Sequence, residues 1–155
     1  MTKKALVLTN HLHSFTGSEV VAMEVAEELV DLGYSVDLGA NVISTEMFQE
    51  LSKTGISASE AAEDIELPKY EFIWSQHGIL PLCVGLDETK KSDTLIASVH
   101  LSSFTSLEFI DLMSCSGTAN VIVVNSQETA DALSSLGIDQ KWIFKFQNAA
   151  PRKFF

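Results

Sequence analysis

The sequence predicts an α/β fold: a single Rossmann-like domain with a doubly wound parallel sheet and helices on both faces, in three layers. Short apolar runs recur along the chain, and amphipathic helical segments separate them. The 155 residues suffice for one such domain and are too few for two. Strands that alternate with helices are typical of parallel sheets, whose ligands bind beyond the carboxyl ends of the strands.

The first strand and the first helix are predicted within residues 5–33. The run from Ala5 to Leu8 is apolar without interruption, which is typical of a strand buried on both faces. Thr16 and Glu19 have capping-box spacing, and Gly33 favours a helix end. Between them, apolar residues recur at helical spacing, namely Val21, Ala22, Val25, Ala26 and Leu29.

The next segment predicts a second strand and a second helix. The strand is Ser35 to Leu38, and a helix capped by Ser44 ends at Gly55. Residues 56–69 form an acidic connection of uncertain form. Because charge runs are usually solvated, the acidic residues from Glu60 to Glu66 receive no function.

Four further strands complete the predicted sheet of six. They are Glu71 to Ser75, Thr94 to Val99, Val121 to Val124 and Trp142 to Phe144. Helices are predicted after Thr105, whose spacing to Glu108 repeats the capping box, and between Ser126 and Gly137.

Charge and composition exclude several classes of function. Ten basic and 21 acidic residues give a net charge of −11, which repels nucleic acids and anionic lipid surfaces. Cys83 and Cys115 fit neither a disulfide framework nor a metal-ligand spacing, so we expect no metal and no cofactor. The apolar run at the N-terminus is too short for a signal peptide or a membrane span, which makes a cytoplasmic protein the expectation.

The segment from Asn10 to Glu19 joins the first strand to the first helix and is the best candidate for a ligand site. Backbone amides around Gly17 and Ser18 are expected to point into the crevice, where they suit a diphosphate or a hydroxylated ligand. The alternative is that Thr16 and Gly17 only begin a helix. The loop lacks the glycine pattern of dinucleotide-binding enzymes, which disfavours a nicotinamide enzyme.

All four histidines are predicted to lie in loops that follow strands, at one edge of the sheet. His77 and His100 are equally well explained as ligand-binding or as structural residues, whereas His11 and His13 are better explained as exposed or structural. Their spacing does not predict a zinc site.

Two longer segments resemble a known family. The first segment resembles the opening of family 4 glycosyltransferases of the GT-B fold. The residues that carry this resemblance are Ala5-Leu-Val-Leu-Thr-Asn, Thr16-Gly-Ser-Glu-Val-Val-Ala-Met-Glu-Val-Ala-Glu-Glu-Leu and Leu32-Gly-Tyr-Ser-Val. The second segment resembles the last part of that family's amino-terminal domain. It comprises Val121-Ile-Val-Val-Asn-Ser-Gln-Glu-Thr-Ala-Asp-Ala-Leu, Leu136-Gly-Ile and Asn148.

The resemblance implies an enzyme that transfers a sugar from a nucleotide-diphosphate donor to a sugar or lipid-linked acceptor, usually with retention. It implies that the amino-terminal domain binds mainly the acceptor. The Gly17 loop, from Thr16 to Glu19, would then lie against the donor phosphates. His100 matches a histidine that contacts the transferred sugar, and Ser126 would line the cleft.

The resemblance also implies a second domain, with an E-x7-E motif and the pocket for the base, that residues 1–155 do not contain. We therefore expect this chain to fold without turning over. The alternative is a non-catalytic interaction module or one subunit of a split transferase, as a homodimer or with a partner chain. A flavodoxin-like signalling domain ranks low, because Asn10 and Gln76 stand where its acidic residues are needed.

Overall fold

The computed structural model describes residues 3–60, 69–76, 94–100 and 119–146. The strands in these ranges are β1 (Lys4–Leu12), β2 (Ser35–Ile43), β3 (Ser57–Glu60), β4 (Phe72–Gln76), β5 (Leu95–His100), β6 (Val121–Val124) and β7 (Ile143–Lys145). The helices are α1 (Gly17–Asp31), α2 (Thr45–Thr54) and α3 (Gln127–Ser135), and a 3-10 turn spans Gln140–Trp142. In the part of the chain that the structure describes, no helix is long and apolar enough to cross a membrane.

The seven strands form one sheet in the order β3-β2-β1-β4-β5-β6-β7, and each neighbouring pair is parallel. The chain first builds outward from β1 to β3. It then returns to the other side of β1 and builds outward again from β4. The order of the strands therefore reverses between β1 and β4, which is where open α/β sheets bind their ligands.

Helices cover both faces of this sheet, which confirms the predicted three-layer Rossmann-like fold. Ala22 and Ala26 of α1 and Met47 of α2 are buried against Val7 of β1 and Leu38 of β2. On the opposite face, Leu133 of α3 packs against Ile122 and Val124 of β6. Since β1 is buried on both faces, an unbroken apolar run was the correct signal for it.

The predicted ends of the first two helices are confirmed. Ser44 accepts a hydrogen bond from the Met47 amide at 3.3 Å and so caps α2. Gly33 follows α1 with φ of 87°, and Gly55 follows α2 with φ of 78°. Residues with a Cβ rarely adopt this left-handed conformation, so glycine at these positions ends the helices.

The structure differs from the prediction at several places, and both β4 and β5 begin and end one residue later than predicted. Residues 57–60, assigned to the connection of uncertain form, are the edge strand β3, so the sheet has seven strands and not six. β1 and β2 continue to Leu12 and Ile43, beyond their predicted ends. Trp142 belongs to the 3-10 turn, and β7 begins one residue later. The helix predicted after Thr105 lies outside the described residues.

Candidate functional site

The candidate site lies where the strand order reverses, beyond the carboxyl ends of β1 and β4. β1 ends at Leu12, and α1 begins at Gly17 after a loop of residues 13–16. Thr16 is the N-cap residue and has extended backbone geometry. α1 therefore begins at the carboxyl edge of the sheet, next to the reversal between β1 and β4.

Glu19 holds the loop that leads into α1. Its side chain is 1% exposed, and Oε1 accepts hydrogen bonds from the amides of His13 at 2.7 Å and Ser14 at 3.1 Å. Oε2 accepts from the Thr16 amide at 3.2 Å, from the Thr16 hydroxyl and from the Ser14 hydroxyl at 3.4 Å. One buried carboxylate thus satisfies three backbone amides that the turn would otherwise leave without acceptors.

These hydrogen bonds keep the Glu19 carboxylate charged. Burial raises the pKa of the carboxyl, but the hydrogen bonds from the Thr16 hydroxyl and from the amides of His13, Ser14 and Thr16 outweigh burial and lower the pKa from 4.5 to about 2. The carboxylate serves the protein's own loop. A direct contact between Glu19 and a ligand stays a prediction.

Gly17 and Ser18 present the first amides of the helix. These two amides donate to no acceptor among residues 3–60, 69–76, 94–100 and 119–146. A Cβ built on Gly17 meets no described atom within 4 Å, and the φ of Gly17 is not positive. Neither backbone strain nor packing within the described structure therefore requires a glycine at this position.

Gln76 joins β4 to the start of α1. It is the last residue of β4 and is fully buried. Its Nε2 donates to the Ser18 carbonyl at 2.9 Å, and its Oε1 accepts from Trp74 Nε1 at 2.8 Å. Sequence patterns do not predict this role, because a single glutamine at a strand end belongs to no motif.

The histidines are distributed differently from the prediction. His11 lies in β1 and not in the following loop, and its half-exposed imidazole places Nε2 3.9 Å from Glu19 Oε1. His13 is exposed in the loop. His100 is the last residue of β5 and so lies in the strand itself. His77 lies outside the described residues.

Gly17 and His100 belong to the same edge of the sheet. β1 pairs with β4, and β4 pairs with β5, both in parallel, so the carboxyl ends of all three strands lie at one edge. His100 is paired with Val124 of β6, two residues before Ser126. Ser126 accepts from the Thr129 amide at 3.1 Å and caps α3, so its hydroxyl has a structural function at this edge.

Solved structures share this fold. A structure of Anabaena Alr3699/HepE in complex with UDP and glucose matches 96% of this chain with a TM-score of 0.73 and 14% sequence identity. The chain has the fold of part of that HepE chain. The HepE complex with UDP-glucose matches 95% of the chain at 15% identity, with the same TM-score of 0.73. A glycosyltransferase from Rickettsia africae matches 96% of it at 15% identity, with a TM-score of 0.68.

The similarity covers only part of those proteins. This chain spans 45% of the first HepE chain and 44% of the other two. No protein-family model matches the sequence, and no curated protein matches it. At these identities the likeness establishes the fold.

No cluster of three or more histidine, cysteine, aspartate or glutamate side chains occurs among the described residues. Two buried hydroxyls, Thr9 Oγ1 and Ser75 Oγ, have no hydrogen-bond partner within the described structure. Both stand near the carboxyl ends of their strands, at the reversal between β1 and β4.

Proposed function

We propose that this domain is one half of a GT-B glycosyltransferase that moves a sugar from a nucleotide-diphosphate donor to an acceptor. One observation carries the proposal. α1 begins with Gly17, beside which no described atom lies where a side chain would be, at the reversal point of the sheet. The fold of this sheet matches that of HepE, which was solved with UDP and with UDP-glucose. Helix starts of this kind bind phosphate and hydroxyl oxygens through backbone amides.

The residues at the carboxyl edge have distinct roles in this proposal. The amides of Gly17 and Ser18 donate to a diphosphate or sugar oxygen, and the absent Cβ at Gly17 gives that oxygen room. Thr16 and Glu19 keep the loop in place. His100 contacts the transferred sugar, while His77 and Ser126 line the cleft. No metal and no cofactor take part.

A second domain completes the enzyme in the same proposal. Residues 1–155 form the acceptor-side domain, which takes a sugar or lipid-linked acceptor in the cytoplasm. The other domain holds most of the donor and carries the acidic motif of family 4 enzymes, and transfer proceeds with retention. The three solved structures described above are each more than twice as long as this chain, which supports a second domain.

A second candidate function is an interaction module or one subunit of a split transferase. Trp142 is 50% exposed and Phe144 is 56% exposed, and both lie at the sheet edge formed by β7. Exposed aromatic side chains beside a strand that is at the sheet edge among the described residues favour protein contacts.

The deciding experiment measures binding and turnover separately. Saturation-transfer NMR with the 155-residue chain is expected to show contact with UDP-glucose, and a UDP-release assay is expected to show no turnover. A polypeptide that supplies the second domain should restore transfer. Turnover by this chain alone at ordinary enzyme rates would contradict the division into halves. Absence of any UDP or UDP-glucose binding, with and without the second domain, would contradict the glycosyltransferase assignment.

A further inference from the structure

The buried amide of Gln76 has a fixed orientation. Trp74 Nε1 is a donor only, so the atom that faces it at 2.8 Å must be the acceptor Oε1. The remaining end of the amide, Nε2, then necessarily faces the Ser18 carbonyl at 2.9 Å, where a donor is needed. Both contacts agree on one orientation, and Gln76 is 0% exposed, so water does not compete for them.

Gln76 and Glu19 both bind backbone groups at the start of α1. The Glu19 carboxylate binds the amides of the loop before α1, and Gln76 binds the carbonyl of Ser18 inside the first turn. The turn also has a backbone bond, from the Val20 amide to the Thr16 carbonyl at 2.9 Å. With these restraints, the amides of Gly17 and Ser18 have little freedom to change direction.

We propose that Gln76 is a positioning residue, which joins the end of β4 to the first turn of α1 so that the Gly17 and Ser18 amides point at one place in the crevice. The proposal rests on the proposed function, because it assigns those amides to the ligand. A hydrogen-bond donor on β4 is what the geometry requires, since the Ser18 carbonyl is an acceptor.

Two substitutions separate positioning from general stability. Gln76→Leu removes both bonds. Gln76→Glu keeps an acceptor for Trp74 but, when ionised, has no donor for Ser18; the protonated acid restores the donor. Ser44→Ala is the matched control, because it removes a helix cap of similar energy from α2 and removes no bond of the α1 turn. All variants are made in the 155-residue chain.

The first measurement is amide hydrogen exchange at Val20, which reports on the first turn without any ligand. In Gln76→Leu, exchange relative to wild type should rise about tenfold. In Gln76→Glu, the exchange rate of the Val20 amide relative to wild type should rise by a similar factor at neutral pH. As the pH falls and the introduced carboxyl protonates, the rate should return toward that of wild type measured at the same pH. Ser44→Ala should leave it unchanged. Wild-type exchange in both Gln76 variants would overturn the proposal.

The second measurement is the affinity of each variant for UDP-glucose by titration. Gln76→Leu should raise the Kd about tenfold, while Ser44→Ala should leave it unchanged. If exchange rises as expected but wild type binds no UDP-glucose, the proposed function is wrong, and Gln76 still holds the first turn of α1. If wild type binds and Gln76→Leu binds equally well, the positioning role is wrong and the proposed function stands.

Discussion

Gly17 is the residue at which structure and proposed function make different demands. Its φ is not positive, and a Cβ there meets no described atom within 4 Å. Glycine costs roughly 1 kcal/mol relative to alanine in a helix. Nothing in the described part of the chain requires glycine at this position, and the proposed function supplies a reason for it: a ligand that approaches the backbone.

Replacement of Gly17 by alanine should accordingly separate stability from binding. Gly17→Ala is expected to raise the free energy of unfolding by up to about 1 kcal/mol and to weaken UDP-glucose binding about tenfold. Gly33→Ala is the control: with φ of 87° at that position, it should cost about 1 kcal/mol and leave the affinity unchanged. Urea denaturation and calorimetric titration measure the two quantities. Undiminished affinity in Gly17→Ala would remove the functional reason for the glycine.

Glu19 should make the stability of the domain depend on acid. Its pKa in the folded state is about 2, below the ordinary value of 4.5, so its contribution is complete above pH 4.5 and is lost as the pH falls toward 2. A pKa lowered by this amount corresponds to about 3 kcal/mol. The difference in free energy of unfolding between wild type and Glu19→Gln should therefore decrease by about 3 kcal/mol as the pH falls from 4.5 toward 2.

Urea denaturation between pH 2 and pH 7 measures this difference. Glu27→Gln is the matched control, because Glu27 is exposed on the same helix and has no such set of amide donors. Should the difference for Glu19→Gln be constant with pH, the carboxylate would not hold the loop through its charge.

At the scale of elements, the sheet was predictable where strands are buried and not where they lie at an edge. β1 and β6 are apolar runs, and buried strands of a parallel sheet need apolar side chains on both faces. β3 reads Ser-Ala-Ser-Glu, and three of its four residues are exposed, so its sequence carries no apolar pattern. Its place in the sheet depends on pairing with β2 and on Glu60, whose Oε1 accepts from the Ile43 amide at 2.7 Å.

The site was predictable to a similar extent. The capping spacing of Thr16 and Glu19 located the start of α1, because that motif is local in sequence. Gln76 contacts Ser18 across a separation of 58 residues, and no local pattern encodes that contact. His11 was placed outside β1 because polar residues interrupt its apolar run, whereas backbone pairing with Val42 continues the strand.

Ser126 tests whether a helix cap at the carboxyl edge also serves the ligand. Its hydroxyl accepts from the Thr129 amide at 3.1 Å and lies 2.8 Å from the Thr129 hydroxyl. Ser126→Ala should cost about 1 kcal/mol through loss of the cap, whereas Ser126→Asp should retain most of the stability because aspartate caps helices equally well. If Ser126 also lines the cleft, Ser126→Asp should weaken UDP-glucose binding, since its carboxylate repels the diphosphate. If Ser126→Asp and wild type bind UDP-glucose with equal affinity, Ser126 caps α3 and does not line the cleft.

At the scale of the molecule, the charge distribution opposes association. The chain has a net charge of −11, and like charges repel between copies over about 10 Å at 0.1 M salt. The exposed aromatic side chains at the β7 edge, Trp142 and Phe144, favour association instead. The two proposed functions differ in which effect they expect to prevail.

A half of a two-domain transferase should be monomeric alone, because its natural contact is with the other domain. We therefore expect sedimentation equilibrium to give a monomer at micromolar concentration in both 20 mM and 500 mM salt. Screening by 500 mM salt removes most of the repulsion between copies. Any dimer held by Trp142 and Phe144 at the β7 edge would therefore appear at that salt concentration. A salt-dependent dimer that Phe144→Ser dissolves, while Phe48→Ser on α2 does not, would favour the interaction module over the half-enzyme. Phe48 is a suitable control, because it is 37% exposed and lies on α2, away from β7.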